Sequence, residues 1–477
     1  MNTKLMPPLL VTTCLSLCTP AWAQSGVGAG DAQVTAIEQI VRQQATHIRM
    51  LEARLADIEF RLAETPAHAA VEPMQAMEAD ALASRLDRLE AASSTQPKIS
   101  MVKGAPEFTL ADGKARFRPR GRFFADASST GGSDAASRNL SGTEISSARL
   151  GAEGNYGRLG YVLEADFAGD AVSWKSAYGA FEHRLFGIPA EFSIGLRLND
   201  RSMDGASGVS NTPFQSRNVV GAVIIPQHGA SDLGVMQRLQ GEDWHVALHV
   251  SGDAPDEPGS GNGALAYALR GHWNPVRTER MTVHLGGWGF REQIRGAARV
   301  VRGAAIGGTF NDNLRIAPGR VADADRSEAL GLELAMFAGP AWVQGEWGAR
   351  RVRGWEDDAR GMFTHRAHAL AAGWFLGEAR PAYSARTGTW GRVKVGTPVS
   401  DGGPGAWELK ARYDAVDYTD LPGGGRGSAW TAGTNWYLND WSRVMLDAVR
   451  WRSENRSGAW PGLDRGYTVN LRFQLAF

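Results

Sequence analysis

Cysteine is almost missing from this chain. Of 477 residues only Cys14 and Cys18 carry a thiol, and both fall in an N-terminal leader. A mature protein that starts beyond them has no disulfide, reactive thiol or Cys-ligated metal. Lysine is scarce too: seven of the 51 basic residues, which leaves 51 − 7 = 44 arginines. The formal net charge is zero, so whole-molecule charge points to no partner and gives no ground for a nucleic-acid ligand. Past the leader no apolar run reaches the roughly 18 residues of a membrane-spanning helix, which excludes a helical membrane protein. Gly-x-Ser-x-Gly elbows, His-Glu-x-x-His helices and Walker loops are absent from the sequence. The ten histidines are scattered, and His245, His249, His365 and His368 read as strand-face residues. Gly259 to Gly263 lacks a strand-to-helix context and reads, like Gly423-Gly424-Gly425, as a flexible loop. No enzyme activity, cofactor or metal is expected.

What is present speaks most clearly at the C-terminus. Tyr467, Val469, Leu471, Phe473, Leu475 and Phe477 share one parity, while Thr468, Asn470, Arg472, Gln474 and Ala476 share the other. Successive strand side chains point to opposite faces, so one face is apolar and the other polar. An ordinary half-buried sheet has the same alternation. Length and aromatic placement decide: a strand crossing a bilayer takes about 9–11 residues and carries aromatics near both interfaces. The tail reads as the closing strand of an outer-membrane β-barrel. A mean hydropathy of −0.28 fits, because lumen, loops and turns of such a barrel are polar. The 58 glycines and 16 tryptophans suit close strand approach and interfacial belts.

The N-terminus agrees with export. Lys4, the apolar stretch Leu5 to Cys18 and the small-x-small site Ala21-Trp22-Ala23 form a signal peptide over 1–23, with Gln24 as the first mature residue. Leu15-Ser16-Leu17-Cys18 offers a lipoprotein alternative. From Val34 a heptad begins: Val34, Val41, Ile48, Leu55 and Leu62 lie seven apart, with Ile37, Gln44, Leu51 and Ile58 between them. That pattern predicts a short α-helical coiled coil, a dimer or trimer, in an arm and linker spanning 24–97. A lone amphipathic helix is the alternative. Pro66 and Pro73 interrupt it, and Leu82, Leu86 and Leu89 suggest a second short helix.

Residues 105–477 read as an all-β domain, a transmembrane antiparallel β-barrel. Fourteen strands are traced directly: Phe117 to Ala125, Arg149 to Tyr156, Tyr161 to Phe167, Ala190 to Leu198, Trp244 to Val250, Leu265 to Trp273, Met281 to Phe290, Leu330 to Phe337, Ala341 to Arg350, His368 to Leu376, Trp407 to Tyr413, Ala429 to Leu438, Val444 to Trp451 and the tail. At roughly 20–25 residues per strand and connection the domain holds about 16 strands, enough for an aqueous channel. In Trp407 to Tyr413 the odd positions face lipid, and Glu408, Lys410 and Arg412 the lumen. Arg116, Arg118, Arg120 and Arg122 likewise share the parity opposite Phe117 and Phe123, a stripe of cations that would guide anions. The competing reading pairs some of them with luminal Asp or Glu. Arg350, Arg351 and Arg353 read as strand-end or loop residues.

The last third of the chain carries an ordered series of motifs. Gly373-Trp374-Phe375-Leu376-Gly377-Glu378-Ala379-Arg380 leads through Gly388-Thr389-Trp390-Gly391-Arg392-Val393-Lys394 to Gly405-Ala406-Trp407-Glu408-Leu409-Lys410-Ala411-Arg412-Tyr413, then Gly433-Thr434-Asn435-Trp436-Tyr437-Leu438-Asn439. This series resembles the porin O/P family, the phosphate- and pyrophosphate-selective porins, with weaker matches at Gly121 to Asp126, Ala148 to Gly151 and His284 to Gly286. The resemblance covers roughly residues 110–477. It implies a trimeric 16-stranded barrel with a third loop, about Asn199 to Asn218, folded into the pore. It places Arg122 as a ladder arginine, Arg217 as the arginine closing that loop, and Arg315 and Arg320 as further rungs. Two departures stand out: Ser146-Ser147 replaces an arginine pair, and the loop has no lysine, with Asn211 and Thr212 near that position.

The expected pore lining is therefore Arg118, Arg120, Arg122, Arg217, Arg315 and Arg320. The expected protein is a homotrimeric porin in a Gram-negative outer membrane, its arm in the periplasm, passing small anions such as phosphate or pyrophosphate. Its partners are membrane lipid, those anions and, through the coiled coil, peptidoglycan. A carbohydrate or general-diffusion porin and a structural tether from outer membrane to cell wall are the alternatives. The clear aromatics sit mostly on the lipid parity, which disfavours a sugar slide.

Overall fold

The computed structural model describes residues 97–477 apart from 170, 228, 253–264, 298–300 and 357–358, together with helical positions 49–50, 53–54, 56–57 and 85. The signal peptide, most of the heptad segment, the second short helix and the 259–263 loop lie outside the described residues.

A short hairpin, β1 (Lys98–Val102) and β2 (Ala105–Thr109), precedes the barrel and pairs with its first strand through Phe108↔Phe117. The wall then runs β3 (Ala115–Gly131), β4 (Ser141–Tyr156), β5 (Leu159–Asp166), β6 (Ser173–Leu185), β7 (Ile188–Leu198), β8 (Ser231–Gln240), β9 (Trp244–Ser251) and β10 (Leu265–Arg277). It continues through β11 (Met281–Ala297), β12 (Ala322–Ala338), β13 (Ala341–Glu356) and β14 (Ala359–Leu376). Two-residue strands β15 (Tyr383–Ser384) and β16 (Thr389–Trp390) pair only with each other. β17 (Ala406–Asp417), β18 (Arg426–Asn439), β19 (Ser442–Asn455) and β20 (Gly462–Ala476) complete the wall. Each wall strand pairs antiparallel with the next, and β20 returns to β3 from Tyr467↔Gly131 to Ala476↔Arg122. The result is a closed barrel of 16 strands.

The expected alternation holds in β17 and β20. In β17, Trp407 and Leu409 face out while Glu408, Lys410, Arg412 and Asp414 are buried. In β20, Tyr467, Val469, Leu471 and Phe473 are exposed while Thr468, Asn470, Arg472 and Gln474 are buried. Trp407 stacks on Trp436 at one edge of the apolar band, and Tyr413 packs on Trp430 at 4.8 Å at the other. The six-residue step from 407 to 413 spans about 20 Å, near the height of a barrel's apolar band.

Two wall strands escaped the sequence trace. β6 carries a bulge, because Glu164 faces Ser176 while Ala165 faces Trp174, so Lys175 is extra and the two-residue period breaks there. In β8 the apolar Met236 lies on the buried side while Gln237 interrupts the outer face, which blurs the pattern. Tight turns close the rim that carries Phe477. One is Phe186-Gly187, where both residues take positive φ (52° and 79°), as a two-residue turn between twisted strands requires.

Three long connections fold inward. One, 199–230 between β7 and β8, outruns the expected Asn199 to Asn218 and holds two short helices, α1 (Met203–Ala206) and α2 (Val219–Val223). Ser202 Oγ and Asn218 Oδ1 cap them by accepting from Gly205 N and Gly221 N, both at 2.8 Å. The second joins β11 to β12 and also enters from the far rim. The third, 377–405 between β14 and β17, enters from the rim of Phe477 and carries β15 and β16.

These segments bury apolar surface inside the barrel. Val220, Val223 and Ile224 of the first, with Ile306, Leu314 and Ile316 of the second, pack on Trp288, Val352 and Trp451 of the wall. Met203 and Phe214 join Trp390 and Val393 of the third against Phe337, Trp342, Phe375 and Tyr437. Most exposed aromatics lie on the lipid face as parity predicts, and those that face inward are covered rather than water-lined. Arg350 also differs from expectation: it is fully buried on β13, ion-paired to Glu292 and bonded to Ser327 Oγ at 3.0 Å. Gly424 is no loose loop. It bridges to Pro318, and a Cβ there would meet Tyr418 O at 2.0 Å.

Candidate functional site: a cationic neck between two lumen cavities

The strands β3 to β8 keep open space beside them. A cavity of about 850 Å³ lies against β3 to β8, and another of about 670 Å³ lies toward the first two inserted segments. Both are lined by Arg122, Val209, Arg217, Ala230 and Arg302, which therefore mark the neck where the two meet.

Its three guanidiniums come from three elements. Arg122 stands on the inward parity of β3; its Nε donates to Ser147 Oγ at 2.9 Å and its guanidinium lies 4.6 Å from the Phe124 ring. Arg472 takes a similar place over that ring at 4.5 Å, but is ion-paired to Asp126 at 2.6 Å. Arg217 is clamped by its own loop, donating to Asp204 O at 3.2 Å and Ser207 O at 2.8 Å. Arg302 belongs to the second inserted segment. Among the described residues none of the three forms an ion pair. Burial, helped by the nearby Arg149, lowers Arg217 from its usual value against the pull of Asp204. Burial, with Arg350 and Arg315, does the same to Arg302. A guanidinium keeps its charge under such shifts, so their physical content is first the partial burial of a charge and second the closeness of other arginines.

The Ser146-Ser147 departure has a structural role here. β4 bulges at this point, since Phe124 faces Ser147 while Ala125 faces Ile145. The bulge turns Ser147 inward, where it accepts from Arg122 and donates to Asp166 at 3.2 Å. The missing loop lysine has a wall counterpart in Lys410. Its Nζ is fully buried against Asp447 at 2.7 Å, Asn435 Oδ1 and Pro213 O, so it ties the loop to β17 and does not line the neck.

The six arginines expected from sequence separate into distinct settings. Arg122 and Arg217 meet at the neck. Arg118 and Arg120 line the larger cavity but are neutralised: Arg118 pairs with Glu153, and Arg120 with Glu153 at 2.9 Å and Glu164 at 3.2 Å. Arg315 lines the smaller cavity with its charge matched by Asp312 at 2.7 Å. Arg320 lines neither cavity. Arg116, at the start of the stripe, is exposed and bonded to Asn155 Oδ1. The reading of the residues missed Arg302, Lys103 and Arg392, at bends where no period marks a side chain's direction, and also the ion-paired strand residues Arg149, Arg197 and Arg238. The larger cavity's described lining has Lys103, Arg118, Arg120, Arg122, Arg149, Lys175, Arg197, Arg217, Arg238, Arg302 and Arg392 against Glu153, Glu164 and Asp200. That excess of bases over acids makes a positive potential in the water-filled half.

A protein of Caulobacter vibrioides carrying no assigned function is 26% identical over 503 residues, covering 100% of this chain and 96% of its own length. Among solved structures, OmpT of Vibrio cholerae is 12% identical, covers 76% of this chain and 98% of its own, and superposes with a TM-score of 0.47. The outer membrane channel DcaP of Acinetobacter baumannii is 9% identical over 76% and 97% at 0.47. An anion-selective porin from Comamonas acidovorans is 12% identical over 76% and 100% at 0.46. Residues 117–477, the whole run from β3 to the C-terminus, match the family described as phosphate-selective porin O and P, and the chain belongs to that family of outer-membrane porins.

Proposed function

We propose that this porin conducts small anions passively, selecting them by charge at the neck formed by Arg122, Arg217 and Arg302. The observation that carries the reading is the meeting, where the two cavities join, of three guanidiniums that form no ion pair among the described residues. A fixed cation beside a narrow water-filled passage lowers the energy of an anion and raises that of a cation, and low-dielectric walls strengthen both effects. No energy source is needed; flow follows the gradient. The porin works as a homotrimer, with its N-terminal arm in the periplasm and the coiled coil reaching toward peptidoglycan. Phosphate or pyrophosphate is the family's suggestion for the cargo, while the bulged serines and the buried Lys410 leave the neck with fewer fixed charges than a tight phosphate site uses.

The test is the reversal potential in a planar bilayer under a KCl gradient, followed by phosphate titration. Anion-selective current supports the reading, and cation-selective current overturns it. Interruption of the current by low phosphate extends the reading to oxyanion selection.

A further inference from the structure

The smaller cavity differs in kind from the larger one. Its end at the neck is cationic, through Arg122, Arg217 and Arg302. Arg315, Arg412 and Arg472 alternate with Asp126, Glu144, Asp414 and Asp447 elsewhere on its wall, and Ala222 of α2 and Ala305 and Phe310 of the second inserted segment add an apolar stretch. Each of these three is at least partly exposed. At about 670 Å³ the space is the size of a small-molecule site rather than of a single hydrated ion.

Such a wall is poor company for bare phosphate. An inorganic oxyanion that leaves water needs donors on all sides, and alkyl and aryl surface supplies none. Several donors at the neck are also already engaged: Arg122 Nε with Ser147, and Arg217 Nε and Nη2 with loop carbonyls. A planar carboxylate can take two of the remaining guanidinium N–H groups at once. A solute with an apolar body would lay that body against Ala222, Ala305 and Phe310 and release water from both surfaces.

We infer that the neck and the smaller cavity together form a binding site for a small organic anion with an apolar body, an aromatic or alkyl carboxylate, in preference to inorganic phosphate. The inference rests on the anion-conducting reading above.

The test uses the full chain in a planar bilayer carrying chloride current, with sodium benzoate, sodium acetate and inorganic phosphate added in turn. Benzoate and acetate share charge and head group and differ in the ring. Benzoate is expected to interrupt the current at about tenfold lower concentration than acetate, the worth of burying part of a ring, with phosphate no better than acetate. Phe310→Ser and, separately, Ala222→Asn should each narrow the gap between benzoate and acetate. An anion-selective current blocked equally by benzoate and acetate, or best by phosphate, overturns this inference alone. A cation-selective current overturns the anion-conducting reading and this inference with it.

Discussion

Two arginines on inward-facing positions of the same barrel meet opposite fates. Arg122 on β3 faces water at the neck with no ion-pair partner among the described residues. Arg270 on β10 is fully buried, held by Glu333 and Asp200 at 2.8 Å each, and donates to the carbonyls of Thr387 at 3.1 Å and Gly388 at 2.6 Å. The contrast extends to whole sides of the lumen. Beside β3 to β8 the wall bounds an open, base-rich cavity and β17 to β19 border the smaller one, whereas β11 to β14 are sealed under inserted segments, aromatic clusters and buried ion pairs. Inward parity alone does not make a pore-lining residue; a covering segment turns the same position into protein core.

The sharpest way to break that contrast is to attack the sealed side. Arg270→Ala leaves Glu333 and Asp200 buried and under-compensated and strips two carbonyls of the 377–405 segment of their donor. A loss of about 3–5 kcal/mol is expected, read as a lower unfolding midpoint in detergent, with the segment opened to protease. Wild-type stability after this change would mean that the filling segments pack without the ion network.

Asp200 offers a related test through pH. It lies just beyond β7, and although burial pushes its carboxyl up, Arg238, His245 and Arg270 outweigh that and hold it well below the ordinary 3.8. A depressed acid contributes stability in full above its unfolded value and loses it as pH falls toward the folded one. The midpoint gap between wild type and Asp200→Asn should therefore stay constant, at roughly 3 kcal/mol, through neutral and mildly acidic pH, and shrink only below about 3.8. A gap that closed well above that value would show that Asp200 is not the fixed anion of this cluster.

The barrel itself was legible in the sequence because its lipid face must be apolar at every second residue. The lipid and lumen faces of β17 and β20 were read correctly for that reason. Where a bulge adds a residue, as at Lys175, the period fails and β6 went unseen. The lumen was legible only in direction. Parity aimed Arg118, Arg120 and Arg122 inward, but whether Glu153 and Glu164 would neutralise the first two depends on the register of β4 and β5, which no local pattern fixes. Arg302 sits in an inserted segment with no repeat, and its arrival at the neck is a tertiary fact. The family motifs around Gly388 to Lys394 marked an important segment without revealing that it fills the barrel.

The open side can be sharpened by removing single charges. Arg122→Ala and Arg217→Ala should each lower the preference for chloride over potassium. A unit charge a few ångströms from a permeating ion in a largely aqueous passage is worth about 1 kcal/mol, or roughly fivefold in the permeability ratio. Near 1 M KCl, where the screening length falls to about 3 Å, the difference should largely vanish. Unchanged reversal potentials in both variants would remove the neck from the mechanism.

The smallest effect is expected from the paired stripe. Arg118→Ala alone would leave Glu153 with only Arg120 and add net negative charge to the cavity, so it tests charge rather than position. The informative change is Arg118→Ala together with Glu153→Ala, which deletes a cation and its partner and keeps the net charge fixed. A close pair acts at a distance as a dipole, whose field falls faster than that of a lone charge, and Arg120 retains Glu164. Chloride preference should then stay within roughly twofold of wild type. A drop as large as that of Arg122→Ala would mean that ions feel the whole arginine stripe of β3, paired or not, and that selection is distributed along the wall instead of concentrated where the two cavities meet.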